Sequence, residues 1–250
     1  MDPSIHQESE GRRTQPLQAG NVDFVAMSSV PASRLRCAGH DIYAIEVLSA
    51  HAQCIVTPWP NVTVMRDLIG SSIATPEYSS SHFGALAALE TIGLRDSEGI
   101  FKFVSEDEGR QMLRGGEVSA WAIWPLQADY EVVLSSTREI VGSDIQIYSV
   151  MVHVGEMTDQ SLFIARSIRD GLRKAKYWIA ENEREAIGFA AREFGVPRKV
   201  IVSAWRRFAF SAQLNSETSA DFNRDSELMV RHDWFTEEEA RRLDNFVRLI

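Results

Sequence analysis

Three consecutive hydroxyls, Ser79, Ser80 and Ser81, followed at once by His82, are the residues of this chain whose type and spacing best suit chemistry. They lie between SSIAT, which reads as a strand, and HFGALAALETIG, which reads as a helix. A loop entering a helix meets backbone N–H groups that lack intrahelical acceptors and carry about half a positive charge. An anion held there gains roughly 0.3 to 1 kcal/mol before any hydrogen bond is counted. The plainer reading is that one serine caps the helix and the others are solvated turn residues; spacing alone leaves both open. A second candidate is the pair Trp121 and Trp124 in VSAWAIWP, where an apolar strand ends against Pro125. A tryptophan at a strand's carboxyl end can line the crevice where open α/β sheets bind ligands, and it can equally be core.

Other chemistries find no support in the residue pattern. His82, His153 and His232 are scattered and form neither a metal spacing nor a triad. GxSxG, GxxxxGK[ST] and GxGxxG are all missing from the sequence. We therefore expect no catalytic residue, no metal and no cofactor. Cys37 and Cys54 are not in a zinc spacing; they read as two small buried residues, with one disulfide between them left open. With 26 basic against 35 acidic residues the formal charge is -9, which removes a general electrostatic reason to bind nucleic acid or an anionic membrane. No apolar run approaches the ~20 residues needed to cross a bilayer. The polar opening MDPSIHQESEGRRTQ lacks an apolar signal core, so the chain as written is expected to stay in the cytoplasm.

The elements that must position these residues alternate in an α/β pattern. After a helical piece near Leu17, NVDFVAM reads as a strand stopped by SSVP; DIYAIEVLS and AQCIVTP are further strands. The proline-punctuated TPWPNVTVMRDLIG marks a change of lobe. FKFV is a strand, Ser105 and Glu108 form a capping box, and VSAWAIW is a buried parallel strand, making a compact α/β lobe from about Asp67 to Gly142. The last hundred residues read as mostly helical. Leu162, Ala165, Ile168, Leu172, Ala175 and Ile179 form one stripe, Asn182 with Glu185 caps a second helix, a third covers Trp205, and Thr236 with Glu239 caps the last.

The segments RDLIGSSIATPEYSSSHFGALAALETIGL and GGEVSAWAIWPL resemble those of ABC-importer solute-binding proteins of the aliphatic sulfonate, taurine and nitrate group. Weaker similarity in LQAGNVDFVAMSSVPAS and KYWIAENEREAIGFAAREFGVP extends it over about residues 15 to 250. The resemblance implies a two-lobed type II periplasmic-binding fold with a helical C-terminal part. Lobe 1 would hold residues 1–57 and 146–250, and lobe 2 residues 58–145. A small anionic solute would bind in an interlobe cleft, with Ser28 and Ser29 facing it from lobe 1, Ser80, Ser81 and His82 from lobe 2, and Trp124 nearby. It further implies a monomer that works with an ABC permease from the periplasm or cell surface.

The sequence departs from that family's pattern in three ways. Trp124 meets Pro125 with no acidic residue between them, the export signal is missing, and the opening strand, helix and strand have no counterpart, so lobe 1 is expected to be incomplete and the chain marginally stable. Two alternatives follow. One is an enzyme on the same fold, like the sulfinate desulfinases or a thiamine-pyrimidine synthase, although their cysteine nucleophile and cysteine-rich iron motif are not found here. The other is a truncated or cytosolic ligand-sensing module.

Overall fold

A computed structural model describes residues 22–94, 100–140 and 145–250. The helical piece expected near Leu17 and the lobe end at Gly142 fall outside the described residues. The elements run β1 (Phe24–Ser28), α1 (Ser29–Cys37), β2 (Ile42–Ala52), β3 (Cys54–Thr57), β4 (Ile73–Thr75), α2 (Ser80–Glu90), β5 (Phe101–Phe103), α3 (Glu106–Gly115), β6 (Ala120–Ile123), α4 (Pro125–Leu134), β7 (Arg138–Ile140) and β8 (Gln146–Val154). Helices α5 (Asp159–Glu181), α6 (Glu183–Glu193), α7 (Arg198–Trp205), α8 (Ser216–Arg231) and α9 (Glu237–Ala240) follow, with a 3-10 turn at Arg241–Asn245. The fold class is mixed α/β with a helical C-terminal part, as the sequence implied.

The described chain divides into two compact units. One holds His51–Ile147 and Ile187–Arg207; the other holds residues up to Ala50, Tyr148–Ala186 and Phe208–Ile250. The first contains a five-stranded sheet in the order β5-β4-β6-β3-β7. Strands β5, β4 and β6 are mutually parallel, and β3 and β7 close one side with antiparallel pairings. Side chains alternate across a strand, and parallel partners share a face. Ile73 and Thr75 therefore lie on the face of Phe101 and Phe103, while Ala74 lies with Trp121. The Trp121 face packs on α3 around Gly109, where an added Cβ would stand 2.6 Å from Trp121 Nε1 and 3.5 Å from the Ala74 methyl. With both faces covered, β6 is buried throughout, which is why AWAI carries no polar residue.

The second unit has a three-stranded sheet in the order β1-β8-β2. β1 and β8 pair antiparallel, from Phe24 opposite His153 to Ser28 opposite Ser149. Ile42, Val47, Val150, Phe222 and Phe246 build its core. The long helix α5 is fastened to this core by charge: the Lys176 ammonium donates to the carbonyls of Val47 (2.5 Å) and Ala212 (2.6 Å), and Arg173 meets the buried Glu46 at 3.3 Å.

Residues 187–207 group with His51–Ile147, whereas the boundaries expected above put them in lobe 1. The cause is a buried polar joint: Asp129 on α4 accepts from the Ser203 hydroxyl of α7 and from Arg207 at 2.6 Å, and Arg207 also reaches Glu139 at 2.8 Å. Some local expectations also change. SSVP does not simply stop β1; it opens α1, with Pro31 in the first turn, where its missing N–H is no loss. PLQADYEVVL and SETSADFNRDSELMVR, not assigned from sequence, are helices α4 and α8. At Asn182, just before α6, the side-chain nitrogen donates to the Trp178 carbonyl of α5 at 2.9 Å, and the Glu185 N–H goes to the Asn182 backbone carbonyl at 2.9 Å.

Candidate functional site

Each of the three parallel strands of the first unit runs directly into a helix: β4 into α2, β5 into α3 and β6 into α4. Their carboxyl ends lie on one edge of the sheet, so the three helix starts gather there, at the edge where open α/β sheets hold ligands. A bond between two first turns, from the Gln127 amide of α4 to Glu106 of α3 (3.0 Å), shows how close they come.

The three starts differ in charge. α3 opens with Glu106, Asp107 and Glu108, and its cap is reciprocal: Ser105 accepts from the Glu108 N–H at 3.3 Å while the Glu108 carboxylate accepts from the Ser105 N–H at 2.9 Å. The Ser105 N–H and the Ser105 hydroxyl both donate to this carboxylate and hold the Glu108 carboxyl below its usual range. This helix neutralises its own dipole. α2 and α4 carry no acidic residue in their first turns, so neither neutralises its own dipole. α4 begins with Trp124 at its N-cap, without a side-chain cap bond, and Pro125 inside the first turn. The direct Trp-Pro junction is thus a strand-to-helix turn with no linker. At the end of β4, the fully buried Thr75 hydroxyl has no hydrogen-bond partner among the described residues. A buried hydroxyl without a partner is costly, and a ligand that supplied one would relieve it.

The serines of α2 are all buried. Ser79 is the N-cap: its oxygen accepts from the His82 N–H (3.1 Å), and its proton goes to the Pro76 carbonyl (2.7 Å). The Ser81 hydroxyl donates to Gln53 Oε1 at 3.1 Å, and the Gln53 amide lies 3.3 Å from His51 Nε2. Burial pushes the His51 imidazole down to about 4, so this ring is neutral at ordinary pH and can accept from Gln53. The Ser79 and Ser81 protons are thus committed within the protein, which leaves the amides of the first turn of α2 as the donors it can offer beside Ser80. His82 is also buried, and its Nδ1 accepts from the Tyr78 N–H at 3.1 Å. Sequence reasoning missed Gln53, whose contact with Ser81 spans 28 residues and leaves no local signal.

Trp121 is wholly core, with Arg110 over its ring at 5.7 Å, whereas Trp124 is partly exposed and meets Phe194 edge-on at 6.5 Å. In the second unit, Ser28 and Ser29 form another strand-to-helix turn with no acidic residue following. Ser29 is fully buried and its hydroxyl accepts from the Tyr148 N–H at 3.3 Å. Both cysteines are buried free thiols. Among the described residues no group of three His, Cys, Asp or Glu side chains could hold a metal, and no helix is long and apolar enough to cross a membrane.

No family model matches the chain. A protein of Escherichia coli (strain K12) named as an aliphatic sulfonates-binding protein is 23% identical over 194 residues, 76% of this chain and 61% of that protein. The chain thus spans about three fifths of the length of that relative. Two solved structures are similar across 97% of the chain: the periplasmic aliphatic sulphonate binding protein of Escherichia coli (TM-score 0.80, 18% identity, 80% of that chain) and the alkanesulfonate-binding protein of Xanthomonas axonopodis pv. citri bound to MOPS (TM-score 0.84, 17% identity, 86% of that chain). A Candida albicans protein described as exhibiting the generic periplasmic binding protein structural fold is similar over 96% of the chain (TM-score 0.74, 14% identity, 84% of that chain). The chain has the periplasmic binding protein fold, and its sequence is similar to that of a protein named as a sulfonate binder.

Proposed function

We propose that the chain is a non-enzymatic receptor that binds a small anionic solute of the sulfonate, taurine or nitrate type and delivers it to an ABC permease. The observation that carries this reading is the pair of helix starts without acidic residues of their own, α2 and α4, on one sheet edge beside the Thr75 hydroxyl, which has no partner among the described residues. Such a site favours a negative group over a neutral or positive one. Two similar proteins are named as sulfonate-binding, which supports an anion of that class. The amides of Ser80 and Ser81 would hold the anionic head, and Trp124, at the adjacent α4 cap, would cover its apolar part. Ser28 and Ser29 enter as ligand residues through the family resemblance.

The test is calorimetric titration and thermal unfolding against ethanesulfonate, taurine and nitrate, with ethylammonium as a control. At a ligand concentration 100 times its Kd the folded state gains about 2.7 kcal/mol, roughly a 5 to 10 °C rise in Tm for a chain of this size. Trp124→Phe should lose most of any fluorescence change on binding. A chain that responds to none of the three anions is not this receptor.

A further inference from the structure

The strand-to-helix turn that presents the α2 amides is held in an unfavourable shape. Tyr78 has φ +55, a left-handed conformation that a bulky residue adopts only when its surroundings enforce it. A hydrogen bond ties this residue to the helix, from the Tyr78 N–H to His82 Nδ1 at 3.1 Å. His82 is well placed to enforce it. Its ring is 2% exposed and held edge-on against Phe101 (4.9 Å) and Phe103 (4.8 Å), on the sheet face that α2 covers, with the Tyr78 ring at 6.2 Å. An Nδ1 that accepts puts the ring proton on Nε2 and fixes the tautomer. His82 also donates its own backbone N–H to the Ser79 cap at 3.1 Å, so one residue holds both Tyr78 and Ser79.

We infer that His82 is a positioning residue, not a ligand: its Nδ1 locks Tyr78 left-handed and thereby aims the first-turn amides of α2 at the anion. The anion in this statement rests on the function proposed above; the lock itself does not. Two substitutions separate the ring nitrogens. His82→Asn places an acceptor near the Nδ1 position and His82→Gln near the Nε2 position, and both remove the ring contacts with Phe101 and Phe103 to a similar extent.

Each variant is titrated with ethanesulfonate, and hydrogen exchange of the Tyr78 amide is measured in the ligand-free proteins. The lock predicts that the Asn variant keeps both Tyr78 protection and affinity. In the Gln variant exchange should be roughly tenfold faster and binding roughly tenfold weaker, the order expected for one net hydrogen bond. Adding Tyr78→Gly to the Gln variant should restore binding, because glycine adopts φ +55 without strain. Retained affinity in the Gln variant with loss in the Asn variant would overturn the inference and make Nε2 a ligand atom. Exchange unchanged in both variants would overturn it as well. If no protein binds ethanesulfonate the proposed function fails, and the exchange data still decide whether the lock exists.

Discussion

Asp225 lies on α8 with its side chain 3% exposed, and neither carboxyl oxygen accepts a hydrogen bond among the described residues. The Arg224 guanidinium stands 3.7 Å away but is more than half exposed and already paired with Asp221 at 2.8 Å. Burial, with the Asp221 charge adding to it, pushes the Asp225 carboxyl from 3.8 up to about 7 despite Arg224. The folded state therefore prefers the protonated acid, and the unfolded chain ionises first. Stability from this group is fully present below pH 3.8 and is lost as pH rises through about 7. At about 1.4 kcal/mol per pH unit, that displacement corresponds to roughly 4 kcal/mol. Asp225→Asn replaces the acid with a neutral isostere and should remove the loss. Urea unfolding of both proteins between pH 4 and 8.5, followed by the fluorescence of Trp178 and Trp234 in the same unit, measures it. The variant should be nearly neutral at pH 4 and stabilised by about 2 to 4 kcal/mol at pH 8. Equal effects at the two pH values, or destabilisation at pH 8, would refute the reasoning.

In the other unit His51 has the opposite sign: burial lowers it from 6.5 to about 4, so its stability is present above pH 6.5 and lost as pH falls toward 4, by about 3 kcal/mol. His51→Gln, which keeps an acceptor for Gln53, should flatten that limb in acid-unfolding curves. Gly109→Ala should destabilise by about 1 to 3 kcal/mol in denaturant titration although alanine is the better helix former, because the new methyl would meet Trp121 at 2.6 Å. Asp129→Ala leaves Ser203 and Arg207 without their shared acceptor and should cost about 3 to 5 kcal/mol, with proteolysis opening the α7 region first.

Local reciprocity decided what could be read from the sequence. The Ser105–Glu108 and Thr236–Glu239 boxes stand as expected, because each cap is closed within four residues. The strands DIYAIEVLS, AQCIVTP and VSAWAIW were legible as apolar runs, and the SSS turn was legible as strand, cap and helix. α4 was not: Leu126 through Glu131 are all buried, so the helix lacks the polar face on which a 3.6-residue period depends, and Pro125 reads as a break. α2 is likewise buried from Ser80 to Leu89, and only its length and the Gly93 stop mark it as a helix. The grouping of residues 187–207 rests on Asp129 meeting Arg207 across 78 positions, beyond any local pattern. Within the candidate site, the three serines and Trp124 could be found by type. Which way the Ser79 and Ser81 protons point could not, because Pro76 and Gln53 set that in three dimensions.

The central claim is that an anion is held by the helix starts that lack their own carboxylates. Amide chemical shifts recorded during an ethanesulfonate titration test it directly, with α3 as the internal control. The largest changes are expected at Ser80, Ser81, Leu126 and Gln127, and little change at Glu106, Asp107 and Glu108. Saturable shifts centred on the α3 start, or none at α2 and α4 in a protein that binds the anion, would contradict it.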